Sequence, residues 1–222
     1  VGAILIYIST SYVFDGGVKS KVLPPYKPDS VTMPLNGYGE SKLAGENEVM
    51  SLMPNSRWIV VRVPILYASD CADLSESSAL VLAEALRTQP SKEPTKKKKV
   101  DDWADRFPTL VDDVSVCLKR IIDSSLSPTT DQLPGKILHI SSPEMITKYK
   151  LSMLMAEILD VDGSHLVPNR DVPADDSAAP RPKKTQLDCT DTWKALGGEP
   201  HAFVSLRDGI SLALEPFRES FQ

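Results

Sequence analysis

Two short runs of aliphatic and β-branched residues, Gly2 to Ile8 and Ile59 to Val63, constrain the fold of this chain more than any other feature. Each is too short for a stable helix and too continuously apolar for a strand with one wet face, so each reads as a strand buried in a parallel sheet. The loop between them, Asp15 to Asn36, carries Gly16-Gly17, Pro24-Pro25, Pro28 and Pro34, which forbids a long regular element. After it the pattern predicts a helix from about Tyr38 to Leu52, with Asn36 as its cap. Strand, helix and strand form a right-handed crossover, and in such sheets ligands gather at the carboxyl ends of the strands. The polar run Ser9-Thr10-Ser11 falls at such an end, and Pro64 closes the second strand.

Further along, Leu74 to Arg87 reads as a helix, followed by a charged, proline-containing linker from Pro90 to Lys99. Within it Lys96 to Lys99 fits a solvated loop, a nuclear signal or an anion patch, the solvated loop being the simplest. Leu110 to Ile122 has helical spacing at Val111, Val114, Leu118 and Ile121, and Lys136 to Ile140 reads as a short strand. Lys148 to Leu159 is amphipathic through Leu151, Leu154, Met155 and Ile158, and Ser205 to Leu214 is a last helix before Pro216. The stretch from Asp160 to Asp191, with Pro168, Pro173, Pro180 and Pro182, is expected to be mostly loop.

Composition excludes several functions. A net charge of −5 and an isoelectric point near 5.3 argue against a nucleic-acid binder, which needs a dense basic face. No apolar run approaches the roughly 18 residues needed to span a bilayer. Cys71, Cys117 and Cys189 are odd in number and widely spaced, which suits reduced thiols and a cytoplasmic chain, and no metal-ligand spacing is present. The chain opens on Val1 and runs directly into a strand, which reads as a beginning inside a domain.

Tyr38 and Lys42 stand four residues apart, on one face of the predicted helix. An ammonium beside a phenol favours the phenolate and makes it a better proton donor and acceptor, the chemistry needed to protonate an oxygen as hydride reaches a carbonyl carbon. Thr10, at the end of the preceding strand, can hydrogen-bond the same oxygen. The plainer alternative is that Ser9, Thr10 and Ser11 satisfy backbone groups and Lys42 is solvated.

Three ordered motifs carry a family resemblance: Ile8-Ser-Thr-Ser-Tyr-Val-Phe-Asp-Gly16, Pro34-Leu-Asn-Gly-Tyr-Gly-Glu-Ser-Lys-Leu-Ala-Gly-Glu46 and Arg62-Val-Pro-Ile-Leu-Tyr67. They resemble landmarks of the extended short-chain dehydrogenases related to dTDP-4-dehydrorhamnose reductase. Within that group Asp102 to Val114, Met145 to Tyr149, Ser164 to Pro168 and Arg181 to Cys189 are similar to the regulatory beta subunits of methionine adenosyltransferase. The resemblance implies an α/β fold, the C-terminal part of a Rossmann-type doubly wound parallel sheet with a small α+β substrate-side subdomain. Residues 1–68 would be the remnant of the dinucleotide-binding part and 69–222 mostly substrate-side, with interleaved Rossmann elements. It also implies Thr10, Tyr38 and Lys42 as the catalytic set, and Tyr38, Lys42 and Leu66 on the nicotinamide-ribose end of NADP. Arg62 and Arg106 would lie toward the substrate, while Trp103 and Phe107 read as packing anchors.

The departures are specific. No Gly-x-x-Gly-x-x-Gly is present to bring backbone N–H groups onto a pyrophosphate, so tight NADP binding by this chain alone is not expected. Ser11 replaces the usual Asp, Ala68 the usual Gly, and the segment after Pro216 is short where the beta subunits use a longer tail. Three functions follow: a regulatory partner of the catalytic subunit of methionine adenosyltransferase, an NADPH-dependent reductase of a nucleotide-linked 4-keto-sugar, or an inactive fragment.

Overall fold

The computed structural model describes residues 3–52, 57–87, 97–127, 133–172 and 180–221. The elements are β1 (Leu5–Thr10), α1 (Gly37–Leu52), β2 (Trp58–Val63), β3 (Leu66–Tyr67), β4 (Lys98–Asp101) and β5 (Thr109–Leu110). They continue with α2 (Val111–Leu126), β6 (Lys136–His139), α3 (Lys148–Leu159), β7 (Leu166–Asn169), α4 (Thr190–Ala195) and α5 (Leu206–Leu214). They gather into two compact units, one of Val1–Pro64, Asp113–Ser141 and Pro173–Ala202, the other of Ile65–Asp112, Ser142–Val172 and Phe203–Gln222.

In the first unit the two apolar runs are neighbouring parallel strands, in register from Leu5 opposite Trp58 to Thr10 opposite Val63. The sheet order is β1-β2-β6, all parallel. Central β2 has Ile59, Val60 and Val61 fully buried, as a strand covered on both faces requires. The body of α2 buries Val114, Cys117 and Ile121, a spacing of three and four residues that forms one helical stripe. At the far edge, Thr192 of α4 accepts from the His139 N–H and donates to its C=O, closing the end of β6 with a side chain.

The loop after β1 folds around one carboxylate. Asp15 accepts from the N–H groups of Gly17, Lys19 and Ser20 and from the hydroxyls of Ser20 and Tyr26. Burial pushes its carboxyl up, but these hydrogen bonds outweigh that and hold it below the usual carboxylate range. Burial and the adjacent Asp15 push the Tyr26 phenol up to about 12, and its ring stacks on Phe14 at 4.2 Å. Gly16, at φ +70, has its α-carbon against the backbone of Lys183 and Lys184, where a side chain would not fit.

The second unit has a core of its own, including Tyr67, Leu80, Leu110, Leu151, Met155 and Ile210. Two short parallel ladders, β3 with β5 and β4 with β7, frame it. The expected helix at Leu74 to Arg87 is instead two 3-10 segments, Leu74–Glu76 and Leu80–Leu86. The reason is local: the Ser77 hydroxyl accepts from the N–H groups of Ala79 and Leu80 and restarts the chain where an α-helix would continue. Lys98 and Lys99, expected in a solvated loop, open β4 opposite Leu166 and Val167, so the proline-rich stretch after Asp160 also contains a strand. Pro90 to Lys96 of the expected linker lie outside the described residues. No helix among the described residues is long and apolar enough to cross a membrane.

Candidate functional site

Helix α1 begins where the sequence places its cap. The Asn36 side-chain oxygen accepts from the Gly39 N–H at 2.9 Å and its C=O from the Glu40 N–H at 3.0 Å, satisfying donors that a first turn leaves open. Gly39 is buried, and a side chain there would meet the Tyr12 carbonyl oxygen and stand 2.9 Å from the Pro34 ring. This close approach seats the first turn of α1 against the end of β1.

Two side chains of α1 then contact residues that flank Thr10 in the sequence. The Lys42 ammonium donates to the Ile8 carbonyl at 3.1 Å and lies 5.2 Å from the centre of the Tyr7 ring. Tyr38 packs edge-on against Tyr12, with ring centres 6.1 Å apart, and is 54% exposed. Ile8 and Tyr12 flank Thr10 in the sequence, Ile8 within β1 and Tyr12 in the 3-10 turn Ser11–Val13 that follows it. Thr10 is buried, and its hydroxyl oxygen accepts from the Tyr12 N–H at 3.2 Å, a bond that does not consume its own O–H donor. The structure thus places Lys42 against Ile8 within β1 and Tyr38 against the 3-10 turn that follows the strand, with Thr10 between those two contacts in the sequence.

The other expected residues are placed differently. Arg62 is 2% exposed and held on every side: it donates to both oxygens of Glu46 at 2.9 and 2.7 Å and to the Pro28 carbonyl at 3.1 Å. Its guanidinium also lies 5.1 Å from the centre of the Phe14 ring. Leu66 and Arg106 belong to the second unit, Leu66 in β3 opposite Thr109. Arg106 is buried there, its backbone exchanging two 2.9 Å hydrogen bonds with Ile146 while its side chain donates to the Asp105 carbonyl at 2.7 Å.

Sequence reasoning passed over Glu46 and His139. Glu46 is fully buried, accepts from the Ser9 hydroxyl at 2.5 Å and pairs with Arg62 through both oxygens. Its signal was an arginine inside an otherwise apolar strand, which demands a buried anion. His139 is fully buried with Nδ1 3.2 Å from the Asp188 carbonyl; burial and then the Arg62 charge push its imidazole down to about 3, so it is neutral. The thiols of buried Cys117 and half-buried Cys189 are pushed up to about 11 and 12, chiefly by desolvation, which makes them poor nucleophiles.

A family model for the RmlD substrate binding domain matches residues 1–217. The chain belongs to that family. Its RmlD-type sequence is 41% identical over 222 residues to methionine adenosyltransferase 2 subunit beta of Xenopus tropicalis, covering 98% of this chain and 59% of that protein. It is 28% identical over 182 residues to dTDP-4-dehydrorhamnose reductase of Mycobacterium tuberculosis (strain CDC 1551 / Oshkosh), covering 82% of this chain and 52% of that one. The chain therefore spans a little over half the length of these relatives. Among solved structures, dTDP-4-dehydrorhamnose reductase from Bacillus anthracis in complex with NADP superposes with a TM-score of 0.68 at 24% identity, covering 95% of this chain and 63% of that one. This establishes the Rossmann-like α/β fold. The residues present fit one end of such a dinucleotide: an exposed phenol with an ammonium one turn away suits a ribose and nicotinamide. No Gly-x-x-Gly-x-x-Gly turn is present in the 222 residues to receive the phosphates.

Proposed function

We propose that this RmlD-type chain acts as an NADP-linked, reductase-like regulatory subunit of methionine adenosyltransferase in the cytoplasm. The observation that carries this reading is the asymmetry of its relatives: 41% identity across 98% of the chain to a beta subunit, against 28% across 82% to a reductase. Arg62 supports it as well, because its guanidinium is buried and bound to Glu46 and Pro28, so it is not exposed to a sugar substrate. The test is direct. The purified chain is mixed with the catalytic subunit and followed by size-exclusion chromatography and by the rate of S-adenosylmethionine formation. Co-elution with a changed rate is expected; separate elution with an unchanged rate would overturn the proposal.

A second reading, an NADPH-dependent reductase of a nucleotide-linked keto-sugar, is favoured by Tyr38 and Lys42 sharing one helix whose contacts fall on the residues either side of Thr10 in the sequence. NADPH, when bound, supplies the hydride in that chemistry. In this chain Tyr38 delivers the proton to the carbonyl oxygen, Thr10 donates a hydrogen bond to the same oxygen, and Lys42 holds the ribose. Tyr38→Phe should then abolish turnover of a nucleotide-linked keto-sugar and leave its binding largely intact. Undiminished turnover in that variant would remove Tyr38 from the mechanism.

A further inference from the structure

Only Gly39 and Glu46 of the sixteen residues of α1 are fully buried. A helix on a sheet ordinarily presents an apolar stripe, and such a stripe tolerates small slips because apolar contacts are non-directional. Here Leu43, Val49 and Met50 are only partly covered, and the most buried side chain is a carboxylate. That carboxylate reaches two neighbouring strands: Ser9 of β1 at 2.5 Å and Arg62 of β2 at 2.9 and 2.7 Å. Ser9 and Arg62 are register partners in the ladder, so the three groups meet at one rung of the sheet. Tyr38, Lys42 and Glu46 follow one another at intervals of four and share one face of α1.

We infer that Glu46, with Arg62 and Ser9, is a positioning residue that fixes the register of α1 on the sheet and thereby holds Tyr38 and Lys42 beside Thr10. Hydrogen bonds are directional and a bidentate guanidinium–carboxylate pair admits one geometry, so this contact specifies a seat for the helix that its partly covered apolar side chains do not. The inference rests on reading Tyr38 and Lys42 as the functional pair. It makes Arg62 a support for that pair rather than a ligand contact.

Biosynthetic incorporation of 3-fluorotyrosine into the full chain tests it, with Tyr38→Phe used to assign the ¹⁹F line of Tyr38. Two variants are compared with the parent well below their melting temperatures: Ser9→Ala, and the paired replacement Glu46→Leu with Arg62→Met, which substitutes apolar volume for the ion pair. The expected result is a paired variant that still melts cooperatively while its Tyr38 line shifts and broadens or splits, with the lines of Tyr67 and Tyr149 unmoved. Ser9→Ala should shift the same line less. A paired variant with an unchanged Tyr38 line would overturn the inference and leave the network a stabilising contact only. If the paired variant does not fold, the Ser9→Ala line decides alone: a shift supports the inference and no shift overturns it. Failure of the underlying reading is seen separately, as a Tyr38→Phe chain that retains every activity of the parent.

Discussion

Glu46 carries a charge on a side chain 1% exposed, and Arg62 opposite it is 3% exposed. Removing one partner strands the other charge in a low-dielectric interior, so Glu46→Ala should destabilise the chain by about 3–5 kcal/mol, read as a fall in the urea midpoint. A loss close to that of an exposed pair, under about 1 kcal/mol, would mean that water reaches Arg62. His139, beside this pair, makes stability depend on pH. Its folded imidazole titrates near 3, below the ordinary value of about 6.5, so between those two values the unfolded chain binds the extra proton. The contribution is complete above about 6.5 and is lost as the pH falls toward 3. His139→Gln should flatten this part of the profile, so that its urea midpoint falls less than the parent's between pH 7 and pH 4.5.

Helix α1 places the candidate site at the scale of elements, and its start and its seat have different origins. The cap at Asn36 and the Tyr38–Lys42 spacing are local and were legible in the sequence. The close approach at Gly39 was not, since it depends on where Tyr12 and Pro34 come to lie. Gly39→Ala should push the first turn away from β1 and cost about 1–3 kcal/mol, a typical range for overpacking, despite the better helix propensity of alanine. Thermal melts of the two proteins check this, and a more stable alanine variant would show that the first turn can move without penalty. The two 3-10 segments between Leu74 and Leu86 make the same point in reverse. Their apolar spacing reads as one helix, but a hydroxyl at Ser77 competes for the backbone N–H groups that an α-helix would use.

At the scale of the whole molecule, β1 is paired along one side only among the described residues, and it exposes Leu5 and Ile8. The sequence by itself determined the parallel α/β class, the order of the main strands and helices, and the spacing that puts Tyr38 and Lys42 on one helix, because these follow from residue periodicity, capping and short-range motifs. Only the tertiary structure decided what Arg62 does, that Glu46 anchors α1, that His139 stays neutral, and that a strand lies within the proline-rich stretch after Asp160. Each of those depends on which distant residues are brought together and on how much water is excluded between them. Spacing along a chain does not encode either quantity.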